Sequence, residues 1–112
     1  KENHIAACGG IVAAIRRARQ LNPGMPVEIE VESISEYQQA LTAKPEVILL
    51  DNFTVQQLRQ AVSLKPEGVF LEASGGISLT NVAEVAATGV DAISIGALTK
   101  HIQAIDFSMR FA

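Results

Sequence analysis

Acidic residues and small glycine-rich turns recur along this chain, each at or directly after the end of a short apolar segment. Glu30 lies near the end of the first segment, and Asp51 follows the second. Two later segments are followed by turns, which are Ser74-Gly75-Gly76 and Gly96-Ala97. Carboxylates can hold sugar hydroxyls or a divalent ion, and glycine turns expose backbone N–H groups to a phosphate. The pattern indicates a site for a phosphorylated sugar.

Segments with helical and strand periodicity alternate along the sequence and would position these residues. Apolar residues recur at helical spacing over residues 10–21, and residues 27–31 alternate apolar with acidic side chains as a strand does. Further strands are expected at 46–50, 68–73 and 92–95, and the nearly continuous apolar run at 46–50 predicts a strand that is covered on both faces. Further helices are expected after Ser35, after Thr54 as N-cap and after Ser78 as N-cap, the last ending at Gly89. The tail from Lys100 is expected to form a partial helix.

The alternation repeats about every 22 residues, counting from Glu30 to Asp51 and from Ser74 to Gly96. Consecutive βα units place the chain in the α/β class and predict a parallel sheet with right-handed crossovers. Four units are half of an eight-stranded TIM-like barrel. Residues 1–112 are therefore expected to form part of such a barrel as a single domain. A doubly wound dinucleotide fold is the rival, but the sequence has no G-x-G-x-x-G turn.

Composition and charge narrow the range of partners. Hydrophobic residues make up 48% of the 112 residues and charged residues 19%, with a net charge of -3. A dense basic face for nucleic acid is therefore not expected, and no signal peptide or membrane segment is visible. Cys8 is the single cysteine, so an internal disulfide cannot form and a reduced, cytoplasmic setting is expected.

Polar side chains at the strand ends should meet at one rim of the sheet. In a parallel barrel the loops that follow the strands converge there, and active sites lie on that rim. The residues expected at this rim are Glu30, Glu32, Asp51, Asn52, Glu72, Ser74, Ser94 and Gly96. Lys1 is expected at the end of a strand that precedes the chain.

Five short motifs in this order resemble those of quinolinate phosphoribosyltransferase. They are Lys1-Glu2-Asn3-His4, Val27-Glu28-Ile29-Glu30-Val31, Leu49-Leu50-Asp51-Asn52-Phe53, Leu71-Glu72-Ala73-Ser74-Gly75-Gly76-Ile77 and Gly96-Ala97-Leu98-Thr99. Each motif is weak alone, but together they cover essentially the whole chain at consistent spacing.

The resemblance implies a glycosyltransferase of pyridine nucleotide synthesis. Members of the family transfer a phosphoribosyl group from phosphoribosyl pyrophosphate to quinolinate, release carbon dioxide and form nicotinate mononucleotide, with Mg²⁺. By their places in the motifs, Glu30 and Asp51 are expected to be catalytic and to serve the ribose hydroxyls and the magnesium-bound pyrophosphate. Lys1 would contact the anionic substrates. The phosphate of the ribosyl group would be held by Ser74, Gly75, Gly76, Gly96 and Ala97.

Two features depart from the family pattern. Lys100-His101 stands where many members have histidine after Gly-Ala-Leu-Thr, so a basic group is kept with a different reach and titration. The family's quinolinate pocket also uses cations from earlier barrel strands and from an N-terminal domain that the partner subunit of a homodimer contributes. The resemblance therefore implies that residues 1–112 are the C-terminal portion of the TIM-like barrel, without its first strands and without the N-terminal domain. The arginines that are present, Arg16, Arg17 and Arg19, are expected on the solvated face of the first helix. The resemblance therefore implies that the 112 residues alone are inactive.

Simpler interpretations of the same residues stay open. Asp51 is also placed to cap the helix that follows it, and Glu28 and Glu30 also suit the polar face of a half-exposed strand. The second choice among enzymes is another phosphate-binding barrel, such as an aldolase or isomerase with Lys1 as a Schiff-base lysine. A non-catalytic half-barrel is a third alternative, because an open strand edge can pair with another chain.

Overall fold

The computed structural model describes residues 1–112 and shows helices and strands in regular alternation after an initial pair of helices. The elements are α1 Glu2–Cys8, α2 Ile11–Leu21, β1 Glu28–Val31, α3 Ile34–Ala43, β2 Val47–Asp51, α4 Val55–Leu64, β3 Phe70–Ser74, α5 Val82–Ala86, β4 Ala92–Ile93 and α6 Ala97–Lys100. The predicted helices and strands are confirmed in their order, and α1 is an additional helix. None of the helices is both long enough and apolar enough to cross a membrane.

The four strands form one parallel sheet in the order β1-β2-β3-β4. Glu30 is paired with Leu49, and Leu49 with Glu72, so these residues form one row across the sheet. Asp51 and Ser74 are the next residues on the same face. They are paired with each other, nearer to the carboxyl ends of their strands. Sequential parallel strands joined by helices are the geometry of part of an α/β barrel, which confirms the predicted fold class.

The hydrophobic core lies between the sheet and the helices. The strand residues that point to the helices are at most 4% exposed, and they are Ile29, Val31, Ile48, Leu50, Leu71 and Ala73. The buried Tyr37 on α3 donates a hydrogen bond to the carbonyl of Ala61 on α4 at 2.9 Å, which joins two of the covering helices.

The opposite face of the sheet is partly open. Val47 and Leu49 are half-buried there, and Phe70 is 44% exposed. The prediction that β2 is covered on both faces is therefore wrong for this chain, because no element of the chain covers this side. It is the face that points to the interior of a closed barrel.

The boundaries of three predicted elements differ from expectation. α5 begins at Val82 instead of directly after Ser78, because the Asn81 side chain accepts the Ser78 N–H at 2.8 Å and donates to the Gly76 carbonyl at 3.1 Å. These bonds hold a turn where the helix was expected. β4 has two residues, and the predicted tail helix is wrong, since helix α6 ends at Lys100 and residues 102–112 are exposed without regular structure.

Two acidic residues brace the amino-terminal edge of the sheet in the same way. Glu46 accepts the Val27 N–H at 2.7 Å and pairs with Arg19 at 2.9 Å. Asp91 accepts the Leu71 N–H and pairs with Lys65, both at 2.7 Å. Each carboxylate therefore joins a strand to the end of a preceding helix.

Arg19 also donates to the carbonyl of Ala43 at 2.8 Å. The Arg19 side chain therefore links α2 to the segment before β2. It is not simply a solvated side chain on the outer face of α2, as the sequence predicted.

Candidate functional site

A polar cleft of about 590 Å³ opens at the carboxyl-terminal edge of β2, β3 and β4. Its lining residues are Asp51, Asn52, Ser74, Gly75, Gly76, Ile77, Ser78, Ser94, Gly96, Ala97, Lys100 and His101. Six of the eight predicted site residues are in this set, because parallel strands bring their following loops to one edge. The remaining two, Lys1 and Glu30, lie outside the lining of this cleft.

Asp51 is positioned by its neighbour in the chain. Asn52 Nδ2 donates to Asp51 Oδ2 at 3.0 Å, and the Asn52 N–H donates to the Ser74 carbonyl at 2.9 Å. Asn52 has a positive φ of 55°, a left-handed conformation that asparagine tolerates better than most residues. The loop after β2 is thereby fastened to the end of β3, and Asp51 faces the cleft.

Gly75 is needed where these two loops meet. Its φ of +86° favours glycine, and a Cβ atom there would lie 2.7 Å from the Asn52 backbone nitrogen and would also contact the Asn52 side chain. The sequence predicted Gly75 as a residue that presents its N–H to a phosphate. The structure adds a second requirement, because Asn52 leaves no room for a side chain.

The rim of the cleft carries hydrogen-bond donors that the protein itself does not use. The backbone N–H groups of Gly75, Gly76, Gly96 and Ala97 make no hydrogen bond within the chain. The Lys100 side chain folds over Gly96, with Nζ 3.7 Å from the position that a Cβ atom would take. Backbone donors and a lysine ammonium are the groups that bind phosphate oxygens. The helix that was expected from Ser78 begins only at Val82, so its first turn does not directly follow Gly75 and Gly76.

Glu30 and Lys1 form a separate pair beside β1. Their closest atoms, Lys1 Nζ and Glu30 Oε2, are 4.0 Å apart, and the Lys1 side chain is 75% exposed while that of Glu30 is 18% exposed. Burial raises the pKa of Glu30, Lys1 opposes the shift, and the charges of Glu2 and Asp51 add to it. The charge of one predicted catalytic carboxylate, Asp51, therefore acts on the other, Glu30, although only Asp51 lines the cleft.

The strand-end pattern also included Asn52 and Ser94 without giving either a role. Asn52 fixes Asp51. Ser94 lines the cleft and donates a hydrogen bond from Oγ to Glu72 Oε1 on the neighbouring strand. Their positions at strand ends are visible in the sequence. Their hydrogen bonds depend on loop and strand geometry that the sequence does not display.

The donor set limits how a metal could bind. No group of three or more His, Cys, Asp or Glu side chains in the chain is arranged to hold a metal ion. Magnesium, however, usually keeps several waters and is held by one or two carboxylates together with substrate phosphates. Glu30 and Asp51 fit that second kind of binding, in which the ion arrives with a pyrophosphate.

An incomplete α/β barrel with a polar cleft at its strand ends places this chain in the class of α/β-barrel enzyme domains. The chain belongs to the quinolinate phosphoribosyl transferase family, as its C-terminal domain, because the sequence model of that domain matches residues 1–110.

Individual relatives agree with this assignment. The chain is 44% identical to a nicotinate-nucleotide pyrophosphorylase (carboxylating) of Mycobacterium leprae, over 97% of the chain and 39% of that protein. It is 41% identical to the human protein of the same name, over 98% of the chain and 38% of that protein. The chain thus spans about two fifths of the length of these relatives.

Solved structures show the same architecture. The nicotinate-nucleotide pyrophosphorylase of Francisella tularensis superposes with a TM-score of 0.87 at 46% identity, over 94% of this chain and 38% of that one. A thiamine phosphate pyrophosphorylase of Pyrococcus furiosus superposes less closely, with a TM-score of 0.66 at 25% identity, over 72% of this chain and 43% of that one.

Proposed function

We propose that this chain forms the phosphoribosyl-binding part of an enzyme that converts quinolinate and phosphoribosyl pyrophosphate into nicotinate mononucleotide, carbon dioxide and pyrophosphate. The observation that carries the proposal is the cleft, which joins the acid Asp51 to a rim of free backbone donors at Gly75, Gly76 and Gly96. A phosphorylated ribose offers hydroxyls to the acid and phosphate oxygens to the rim. The names of the relatives point to the same product.

The charges of the site suit transfer of a phosphoribosyl group. As the bond from the ribose to pyrophosphate breaks, positive charge develops on the sugar ring, and nearby carboxylates stabilise it. Asp51, which lines the cleft, and Glu30, which is close enough to be influenced by the charge of Asp51, are the acids that we propose for this role. Because burial raises the pKa of Glu30, the neighbouring Lys1 helps to keep that carboxylate ionised. Lys1 is also exposed enough to contact an anionic substrate.

We propose that Mg²⁺ enters the site bound to the pyrophosphate group of the substrate. Glu30 and Asp51 would hold it, directly or through water, and when bound it neutralises charge on the departing pyrophosphate. The chain's own residues keep the ribose and its phosphate in place, and none of them needs to act as a covalent nucleophile.

Quinolinate recognition is assigned mainly to parts of the protein outside these residues. The aromatic diacid needs several cations, whereas the cleft offers Lys100 and His101. The relatives are more than twice as long as this chain, which leaves room for an N-terminal domain and earlier strands. We also propose that the protein is a homodimer in which both subunits contribute to the quinolinate pocket. A cytoplasmic location is proposed as well, because the free Cys8 suits a reducing compartment.

The aldolase or isomerase interpretation is less well supported. It required Lys1 to act as a Schiff-base nucleophile, but the polar cleft forms around Asp51 and the glycine turns, and Lys1 does not line it. Family membership also favours phosphoribosyl transfer.

The proposal is tested with the full-length protein, quinolinate, phosphoribosyl pyrophosphate and Mg²⁺. Nicotinate mononucleotide, followed by chromatography, is expected when all three are present and not when quinolinate or phosphoribosyl pyrophosphate is left out. A folded full-length protein that forms no product under these conditions would contradict the proposal.

A further inference from the structure

Ser94 gives its hydroxyl proton to a carboxylate instead of to the cleft that it lines. Ser94 Oγ donates to Glu72 Oε1, and Glu72 lies half-buried on β3 beside β4. A serine hydroxyl has a single proton. Toward the cleft, the Ser94 oxygen can therefore act as a hydrogen-bond acceptor but not as a donor.

The hydrogen-bonding groups of the cleft separate into two regions. Asp51 and Ser74 are paired across β2 and β3, and the Ser94 N–H bonds to the Ala73 carbonyl at 2.9 Å, which continues the pairing by one residue. Asp51 and Ser94 thus present acceptors from the same level of the sheet. The donors, which are backbone N–H groups and Lys100, lie beyond the strand ends.

A sugar phosphate matches this division. Its phosphate oxygens accept hydrogen bonds and suit the donor rim, while its ring hydroxyls donate and suit the acceptors on the sheet. A phosphate placed against Ser94 would instead meet an oxygen lone pair with a carboxylate directly behind it. The arrangement therefore orients the ligand with the sugar ring toward Ser94.

We propose that Glu72 is a positioning residue that holds Ser94 as an acceptor for a ring hydroxyl of the ribose. The pair makes the cleft select a hydroxylated sugar phosphate over a deoxy sugar phosphate. This inference rests on the proposed function and adds to it the Glu72–Ser94 pair as a determinant of sugar specificity.

The alternative role of the same bond is structural, as a tie between β3 and β4. β4 has only two residues, so an additional link at its end would stabilise it. The backbone bond from Ser94 to Ala73 already supplies such a link. A purely structural bond would affect stability without affecting the choice between sugars, so the two roles differ in a measurable way.

Binding of three sugar phosphates to the full-length protein tests the inference. Calorimetry compares ribose 5-phosphate with its 2-deoxy and 3-deoxy analogues. The parent protein is expected to prefer ribose 5-phosphate over at least one analogue. Ser94→Ala should reduce that preference by about tenfold, the size of one hydrogen bond. Ser94→Thr keeps the hydroxyl and is the matched control that should retain the preference.

Two further variants show whether Glu72 acts through Ser94. Glu72→Gln should also reduce the preference. The amide of glutamine can donate a hydrogen bond to Ser94, so the serine proton is then free to point toward the cleft. Adding Glu72→Gln to Ser94→Ala should change the preference no further. Inorganic phosphate should bind the parent and Ser94→Ala equally well, since Ser94 donates nothing to the phosphate.

An unchanged preference in Ser94→Ala and Glu72→Gln would overturn the inference, even if both variants unfold more easily. If the parent still forms nicotinate mononucleotide, that result leaves the proposed function standing. A parent protein that binds none of the three sugar phosphates and forms no product would overturn the inference and the proposed function together.

Discussion

Gly75 shows how one residue can serve both structure and ligand binding. Its N–H is a free donor at the rim of the cleft, and its missing side chain leaves room for Asn52. The glycine-rich turn was visible in the sequence as a phosphate-binding pattern. The contact with Asn52 was not, because it joins loops that follow two different strands.

Replacing Gly75 with alanine is therefore expected to cost more than the positive φ alone. Gly24 has a similar φ of +81° with open space around the position of a Cβ atom, so Gly24→Ala measures the backbone cost, about 1–2 kcal/mol. Gly75→Ala should lower the free energy of unfolding further, because its Cβ atom would collide with Asn52. Urea unfolding of both variants of the full-length protein measures the difference, and equal losses would contradict the proposed contact.

The shared location of the acids and glycines was predictable, because the carboxyl ends of neighbouring strands lie at one edge of any parallel sheet. Asp51, Ser74 and Gly96 reach one cleft for that reason alone. Lys1 and Glu30 were expected beside them but form their own pair, which joins the start of α1 to β1. Sequence periodicity locates the edge of the sheet, whereas it does not give the spacing of side chains along that edge.

The elements are held in register by charged groups on the edge opposite the cleft. Asp91 precedes β4, accepts the Leu71 N–H of β3 and pairs with Lys65 at the end of α4. Desolvation raises the pKa of Asp91, but the hydrogen bonds from Lys65 and Leu71, with the positive charge of Lys65, outweigh it and lower the pKa below its usual range. The folded chain thus prefers the ionised carboxylate.

This preference predicts a pH-dependent contribution of Asp91 to stability. Since its folded-state pKa is depressed, the contribution is complete above the unfolded-state pKa and is lost as the pH falls through the folded value. Asp91→Asn should lower the free energy of unfolding by about 1 kcal/mol at neutral pH, with most of that difference disappearing below about pH 4.

Asp106→Asn is the matched control for this measurement. Asp106 lies in the exposed tail and makes no hydrogen bond or ion pair, so its replacement should leave stability unchanged at every pH. Urea unfolding across the acid range checks both variants. A loss in Asp91→Asn that is the same at acid and neutral pH would show that the ionised carboxylate is not responsible.

Helix starts illustrate what local sequence can and cannot reveal. Thr54 was predicted as an N-cap and forms a capping box with Gln57, since both partners lie within one turn. Ser78 was predicted in the same way, yet the helix begins at Val82 because Asn81 bonds to Ser78 and Gly76. The side chain of Asn81 bonds back to residues that precede it, and the sequence pattern did not reveal these bonds.

The whole molecule is an open portion of a barrel. β1 pairs with β2 on one side alone, and an apolar groove of about 340 Å³ lies beside β1, α1 and α2. The partly exposed Phe70 faces the side that a complete barrel would enclose. The order of elements was predictable from the repeated βα pattern, whereas the open face follows from how much of a barrel these residues contain.

The 112 residues alone are accordingly expected to form no nicotinate mononucleotide, because the cleft offers fewer basic groups than the diacid needs. The check is an assay beside the full-length protein, with circular dichroism to confirm that the shorter chain is folded. Product formation by the shorter chain would mean that quinolinate binds without the missing segments.

The central claim is that the cleft around Asp51 performs phosphoribosyl transfer, and pyrophosphate release by the full-length protein tests it most directly. Asp51→Asn keeps the shape of the side chain but removes its charge, so turnover should fall by about 10²–10³ fold. Glu67→Gln removes a carboxylate from the exposed loop before β3 and should leave turnover unchanged. Loss of turnover in Asp51→Asn alone is the predicted result, and a folded Asp51→Asn protein that turns over like the parent would contradict the account.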